Sequence, residues 1–231
     1  MKRYRLILLD VDGTLVHCGG AGRRSLERAL RDACGCPEGD LSALRLDGST
    51  DRLIVRHAME ILGHPFTDDG CDRALARYVS ILPQELGAGT CRVLPGVVGA
   101  LERLRRGSIP YGLCTGNVME GARLKLRRGA LDGYFEWGPD AVGGFAHDGE
   151  VRARLVEAAL RRAAIRHGPL QPPEALVVGD TPLDIAAART AGCASLGVAT
   201  GQYALEELAA SGADHVVESL EAPLALELLA G

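Results

Sequence analysis

Hydrophobic and polar positions fall into two regimes along the chain. Residues 5–9, Arg-Leu-Ile-Leu-Leu, make a largely apolar run that ends on Asp10-Val11-Asp12-Gly13-Thr14. A run this apolar reads as a strand covered on both faces, as in a parallel sheet. From residue 22 to about residue 85 the spacing turns helical, with apolar residues recurring on one face over 25–33, 51–62 and 69–86. Gly63-His64-Pro65 and Gly87-Ala88-Gly89 punctuate this stretch. After Leu94-Pro95-Gly96 a different rhythm begins. A helix over 97–106 precedes a strand over 109–114 and a helix over 118–128. A helix over 154–166, a strand over 175–178 and a helix to residue 191 follow. A strand near 194–198, a helix near 205–210, a strand over 215–217 and a terminal helix complete the pattern.

Strands alternating with helices predict an α/β fold with a doubly wound, parallel, Rossmann-like sheet. The helical stretch interrupts it. The expected organisation is a core made of residues 1–16 and 92–231, with residues 17–91 inserted as an α-helical cap domain.

Composition narrows the function classes. Hydrophobic residues make up 47% and charged ones 24% of the 231 residues, as in an ordinary soluble globular chain. A net charge of −4 gives no bulk attraction to nucleic acid or membrane, and neither partner is expected. No stretch approaches the ~20 apolar residues of a membrane span. The basic-then-apolar start breaks at Asp10 without a small-residue cleavage site, so it does not read as a signal peptide. The seven cysteines are scattered and form no Cys-x-x-Cys pair, which predicts reduced thiols in a cytoplasmic protein. Oligomeric state leaves no trace in the sequence.

Three predicted strands end in polar turns that contain glycine, and open α/β sheets bind ligands at such carboxyl ends. At the first, Asp10 is a carboxylate able to act as a nucleophile on phosphorus. Asp12 is a second carboxylate able to protonate a leaving oxygen and then activate water. Gly13 and Thr14 make a turn whose amides can cradle phosphate. The plain alternatives are an ordinary Asp-Gly turn or a fragment of a calcium loop, and Leu15-Val16 interrupts the latter. At the second, Thr115-Gly116-Asn117 offers a hydroxyl and closely spaced amides, and taken alone it is ordinary turn chemistry. At the third, Asp180 and Asp184 are hard oxygen ligands that suit Mg²⁺. Thr181, Pro182 and Asp184 also read as a helix cap, whereas Asp180 precedes the cap and is not explained by it.

Together these motifs resemble the haloacid dehalogenase superfamily, within its phosphoglycolate-phosphatase-like branch. Asp10 to Leu15 is similar to its first motif, Thr115 to its second, and Gly179-Asp180-Thr181-Pro182-Leu183-Asp184 to its fourth. Ile185 to Gly192, Val198-Ala199-Thr200-Gly201 and Gly212 to Val217 look like the same branch. The resemblance implies that Asp10 is the nucleophile and Asp12 the general acid/base. It implies Mg²⁺ held by Asp10, the backbone carbonyl of Asp12, and Asp180, with Asp184 in support, while Thr115 holds a phosphate oxygen. The expected activity is hydrolysis of a small phosphorylated metabolite through an aspartyl phosphate. The alternatives are a hexose phosphate mutase and a phosphate-binding regulatory protein without catalysis.

One motif departs from the family pattern, which places a lysine before the helix that leads to the fourth motif. The only lysines are Lys2 and Lys125, and Lys125 stands eight residues past Asn117 within the preceding helix. Arg152 is the expected replacement, following a 143–149 loop able to return to the site, with Arg154 second. In the inserted stretch, Asp47-Gly48-Ser49-Thr50-Asp51-Arg52 forms a polar loop that either faces the site, with Arg52 reading substrate, or simply caps a helix through Ser49 or Thr50.

Overall fold

The computed structural model describes residues 4–46 and 48–230. In chain order, strand β1 spans Leu6–Leu9 and β2 Val16–His17. Helices α1 (Ala21–Cys34), α2 (Asp51–Ile61) and α3 (Asp68–Ala88) follow. Next come β3 (Arg92–Val93), α4 (Val97–Arg106), β4 (Tyr111–Cys114), α5 (Met119–Arg128) and β5 (Gly143–Gly144). The remainder is α6 (Arg152–His167), β6 (Ala175–Gly179), α7 (Pro182–Thr190), β7 (Ala194–Val198), α8 (Leu205–Ala210), β8 (His215–Val217) and α9 (Pro223–Leu228).

Six strands form one parallel sheet in the order β5-β4-β1-β6-β7-β8, the α/β architecture expected from the pattern. The β1 run explains why it lies inside. Ile7 and Leu9 face one apolar cluster, and Leu6 and Leu8 face the other, packed with Leu155, Val156 and Ala159 of α6. All four side chains are fully buried. A two-residue period with apolar groups on both faces is what a sheet covered by helices on each side requires. The first cluster continues into Leu26, Leu30, Ile54, Tyr78 and Leu82, so the helical segment shares its apolar core with the sheet. Among the described residues no helix is long and apolar enough to cross a membrane.

Three short strands escape the sequence pattern: β2, β3 and β5 have two residues each, too few to show a period. β2 and β3 pair antiparallel, Val16 with Val93 and His17 with Arg92, so the chain leaves for the helices and returns through adjacent strands. This pairing brings Cys18 and Cys91 together in a disulfide across a sequence separation of 73. The expectation of reduced thiols throughout is corrected here, since cysteines this far apart carry no local signal. Among bounds that move, α1 begins at Ala21 rather than at residue 25, β4 at Tyr111 rather than at 109, and α6 at Arg152 rather than at 154.

Candidate active site

β1 lies between β4 and β6, and this placement brings the three polar turns together. Asp10 follows β1, Thr115 follows β4 and Asp180 follows β6. Carboxylate oxygens of Asp10, Asp180 and Asp184 lie within 4.8 Å of one another, all three residues buried. Asp10 and Asp180 open onto a cavity of about 330 Å³ that Gly22, Ser49, Asp51 and Tyr78 of the helical segment line from the other side. That volume suits a small molecule.

The first turn is locked by its own hydrogen bonds. The Asp10 amide donates to the Val178 carbonyl (2.9 Å), and the Gly13 amide donates to that of Val16 (2.9 Å). Gly13 has φ +79°, and a side chain there would collide with the Asp180 carboxylate, so only glycine fits. The Thr14 hydroxyl donates to Asp180 Oδ1 (3.0 Å) and the Thr200 hydroxyl to the Gly13 carbonyl (2.7 Å). Of the two amides expected to cradle phosphate, that of Gly13 is therefore taken by Val16, and the Thr14 hydroxyl serves Asp180.

At the second turn, Thr115 is fully buried yet lines the cavity. Its hydroxyl oxygen accepts from the Asn117 side-chain amide (2.8 Å), which leaves its O–H to donate into the cavity. The same amide donates to Asp12 Oδ2 (2.8 Å). The Asn117 side chain thus holds the site's own residues in place. The Gly116 carbonyl accepts from the Asp51 amide (2.7 Å), and a side chain on Gly116 would strike the Ser49 carbonyl. Close approach of the helical segment requires this glycine.

At the third turn, both readings of the sequence coexist. Thr181 caps α7 and Asp184 closes the box, accepting from the Thr181 amide (3.0 Å) and hydroxyl (2.7 Å) through Oδ2. Its other oxygen faces Arg152. Asp180 takes no part in the cap and points at the Gly13 turn.

Arg152 lies buried with its guanidinium between Asp10, 2.8 Å away, and Asp184, and it donates to the Gly48 carbonyl (3.0 Å). Arg154 is exposed and pairs with Glu157. Of the two arginines, only Arg152 reaches the carboxylates.

Sequence reasoning missed Lys125. Its ammonium lies 2.5 Å from Asp12 Oδ2 and 2.7 Å from Asn117 Oδ1, and its side chain is buried. The spacing of eight residues misleads because helical side chains lean back toward the N-terminus. At ~1.5 Å of rise per residue, a long side chain on α5 spans back to the turn that starts the helix. Tyr78 was missed as well, and Asp51 was read only as part of the polar loop. Asp51 accepts from the Val118 amide (2.8 Å) and lies near Lys125. Conversely, Arg52 does not face the site. It pairs with Asp68 and Asp72 of α3, and Thr50 caps α2. The loop therefore does both: Gly48, Ser49 and Asp51 line the cavity, while Thr50 caps the helix; Asp47 lies outside the described residues.

Charge in the site is unbalanced. Burial pushes the Asp10 carboxyl up to about 6, Arg152 opposing and Asp184 and Asp12 adding to the rise. Burial, with repulsion from Asp10 and Asp184, pushes that of Asp180 up to about 8. Burial also works against the ionised form of Asp12, but Lys125 and Asn117 outweigh it and hold this carboxyl below its usual range. Three buried oxygen donors of one sign beside a single guanidinium fit a divalent cation such as Mg²⁺.

This arrangement predicts a pH signature without metal. Between the ordinary carboxylate value and about 8, the folded state holds protons on Asp10 and Asp180 that the unfolded chain has released. Stability from these groups is therefore full at acidic pH and is lost as pH rises through that window. In EDTA the thermal midpoint is expected to fall by ~4 °C or more between pH 5.5 and 8.5. Mg²⁺ restores it at pH 8.5, and Asp180→Asn flattens the profile. A calorimetric midpoint in the wild type that is level across this range contradicts the charge cluster.

Comparison with known proteins gives the class. The model of the haloacid dehalogenase-like hydrolase family matches residues 4–192. The chain belongs to that family and is a hydrolase. A phosphoglycolate phosphatase of Rhodospirillum rubrum is 30% identical over 213 residues, covering 90% of this chain and 85% of its own. A phosphoglycolate phosphatase of Vibrio vulnificus is 29% identical, covering 95% of this chain and 94% of its own. The crystal structure of a hydrolase from Pseudomonas syringae superposes with a TM-score of 0.67 at 23% identity, covering 98% and 96% of the two chains. That likeness establishes the fold.

Proposed function

We propose that the protein is a Mg²⁺-dependent phosphomonoester hydrolase that acts on a small phosphorylated metabolite through an aspartyl phosphate on Asp10. The observation that carries this reading is the carboxylate of Asp10, buried at a strand end beside Arg152, with Asp12 two residues on at the cavity wall. Phosphoglycolate is the leading substrate, since relatives that span nearly the whole chain are phosphoglycolate phosphatases.

An Asp10 oxygen attacks phosphorus, the ester P–O bond breaks, and the leaving oxygen takes a proton from Asp12, whose carboxyl gains that proton once a dianionic phosphate lies beside it. Asp12 then takes a proton from water, whose oxygen attacks phosphorus and frees Asp10 and inorganic phosphate. Thr115 donates its hydroxyl to a phosphate oxygen, and Arg152 offsets charge gathered between Asp10 and the phosphate. Asp10, Asp180 and the Asp12 backbone carbonyl would hold Mg²⁺, with Asp184 in support. The ion would neutralise the repulsion between carboxylate and phosphate. The helical segment acts as a cap, excluding bulk water and restricting leaving-group size.

A panel of phosphorylated metabolites tests the proposal. At least one small phosphomonoester should release inorganic phosphate with Mg²⁺ present, and EDTA should abolish release. Interconversion of hexose phosphate isomers without net phosphate release overturns it in favour of a mutase. Binding of phosphate esters without turnover overturns it in favour of a regulatory protein.

A further inference from the structure

Lys125 is a buried cation that the reaction as written does not use. It belongs to α5, in the sheet half of the molecule, yet its ammonium sits where that half meets the helical segment. From the sheet side it contacts Asp12 (2.5 Å) and Asn117 (2.7 Å). From the helical side the Tyr78 hydroxyl of α3 lies against it, and Gly22 of α1 approaches so closely that a side chain there would press on the ammonium. Both Lys125 and Tyr78 are buried.

We propose that Lys125 is a positioning residue that fixes the Asp12 carboxylate for the second half of the reaction and joins that carboxylate to the helical segment through Tyr78. This rests on the hydrolase reading above. Asp12 alone would be free to turn, since its side chain is 47% exposed and opens into the cavity. Two donors restrain it, both on Oδ2: the Asn117 amide and the Lys125 ammonium. With Oδ2 held, Oδ1 is the oxygen left to accept a proton from water. Asn117 is itself oriented by Lys125 through its Oδ1, so the ammonium sets both restraints. Charge-assisted bonds of this kind are the stronger ones and hold geometry well. Arg152 cannot substitute, because its fork is engaged by Asp10, Asp184 and the Gly48 carbonyl.

The consequence falls on one chemical step. With a good leaving group the first step needs little proton donation, whereas attack of water always needs Asp12 in place. The probe is therefore p-nitrophenyl phosphate with Mg²⁺, followed by stopped flow. Lys125→Met is expected to release nitrophenolate in a burst close to the wild-type rate, then turn over at least ~10-fold more slowly, with KM changed less than about threefold; the tenfold step corresponds to about 1.4 kcal/mol. Intact-mass analysis of quenched samples should show the phosphorylated chain accumulating. Tyr78→Phe should show the same pattern at about a third of the wild-type steady rate, and Lys125→Gln, which retains a donor, should lie between. If Lys125→Met does not fold by circular dichroism, the Gln and Phe variants are read by the same criterion. Equal loss of burst and steady rate, or a change confined to KM, overturns the proposal. A wild-type protein that releases phosphate neither from this probe nor from the panel of phosphorylated metabolites overturns the phosphomonoester hydrolase reading instead.

Discussion

Replacing Asp10 by Asn should remove turnover while leaving the fold intact. The amide keeps the volume of the carboxylate, and the backbone bond from residue 10 to Val178 does not involve the side chain. What is lost is the charged oxygen that attacks phosphorus, and nothing else in the cavity can take over from that position. Asp12 lines the cavity but is held in place through Oδ2 by Lys125 and Asn117. Asp180 is tied to Thr14, and Asp184 to the cap of α7 and to Arg152. Phosphate release is expected to fall at least ~10⁴-fold, about 5.4 kcal/mol of transition-state stabilisation. Stability should move the other way. Asp10 contributes repulsion to a buried cluster, so without metal at pH 8 the variant's thermal midpoint should equal or exceed that of the wild type. A folded Asp10→Asn protein with wild-type turnover ends the assignment of the nucleophile.

Arg152→Ala carries the second large effect, and it acts on both activity and stability. The guanidinium is the only cation in contact with Asp10 among the described residues, and it also faces Asp184. Removing it leaves two buried carboxylates without their partner, and breaking a buried pair in this way costs about 3–5 kcal/mol of stability. Turnover should fall ~10²-fold, about 2.7 kcal/mol, because the charge that builds between Asp10 and phosphate loses its protein counter-ion. Arg154→Ala is the control: its side chain is exposed and pairs only with Glu157, so turnover should stay within about twofold. Kinetics and denaturant melts of both variants decide the matter. A larger loss for Arg154→Ala would move the cation one helical face away, and near-normal turnover of Arg152→Ala would remove it from the chemistry.

The parts of the site legible from sequence share one property: each lies in a contiguous motif at the end of an apolar strand. Parallel topology does the rest, since β1 must sit beside both β4 and β6 for Asp10, Thr115 and Asp180 to meet. Arg152 was within reach because the family pattern demands a cation in that interval. Lys125, Asp51 and Tyr78 had no such signal. Lys125 reaches the site through the backward lean of a helical side chain, which residue spacing does not show. Asp51 and Tyr78 arrive from the helical segment only through its docking on the sheet, so no local pattern marks them. The same blindness runs the other way for Arg52, whose polar neighbours fit a binding loop but whose fork belongs to Asp68 and Asp72. The strands of two residues fail for a simpler reason, as a period cannot be read from a single repeat.

The pairing of β2 with β3 has a consequence for how such a chain can change over time. Departure and return points of the helical segment are neighbours, Val16 opposite Val93 and His17 opposite Arg92, with Cys18 bonded to Cys91 just beyond. Excising everything past that ribbon would leave two ends already side by side, so the connection could be closed without a long linker. Helices α1 to α3 are in this sense a replaceable cassette on a fixed socket. A different cassette could present new side chains to the cavity while Asp10, Thr115 and Asp180 keep their places, provided it rebuilt the apolar cover supplied by Leu26, Ile54 and Leu82 and the contacts of Tyr78 on Lys125 and Gly48 on Arg152.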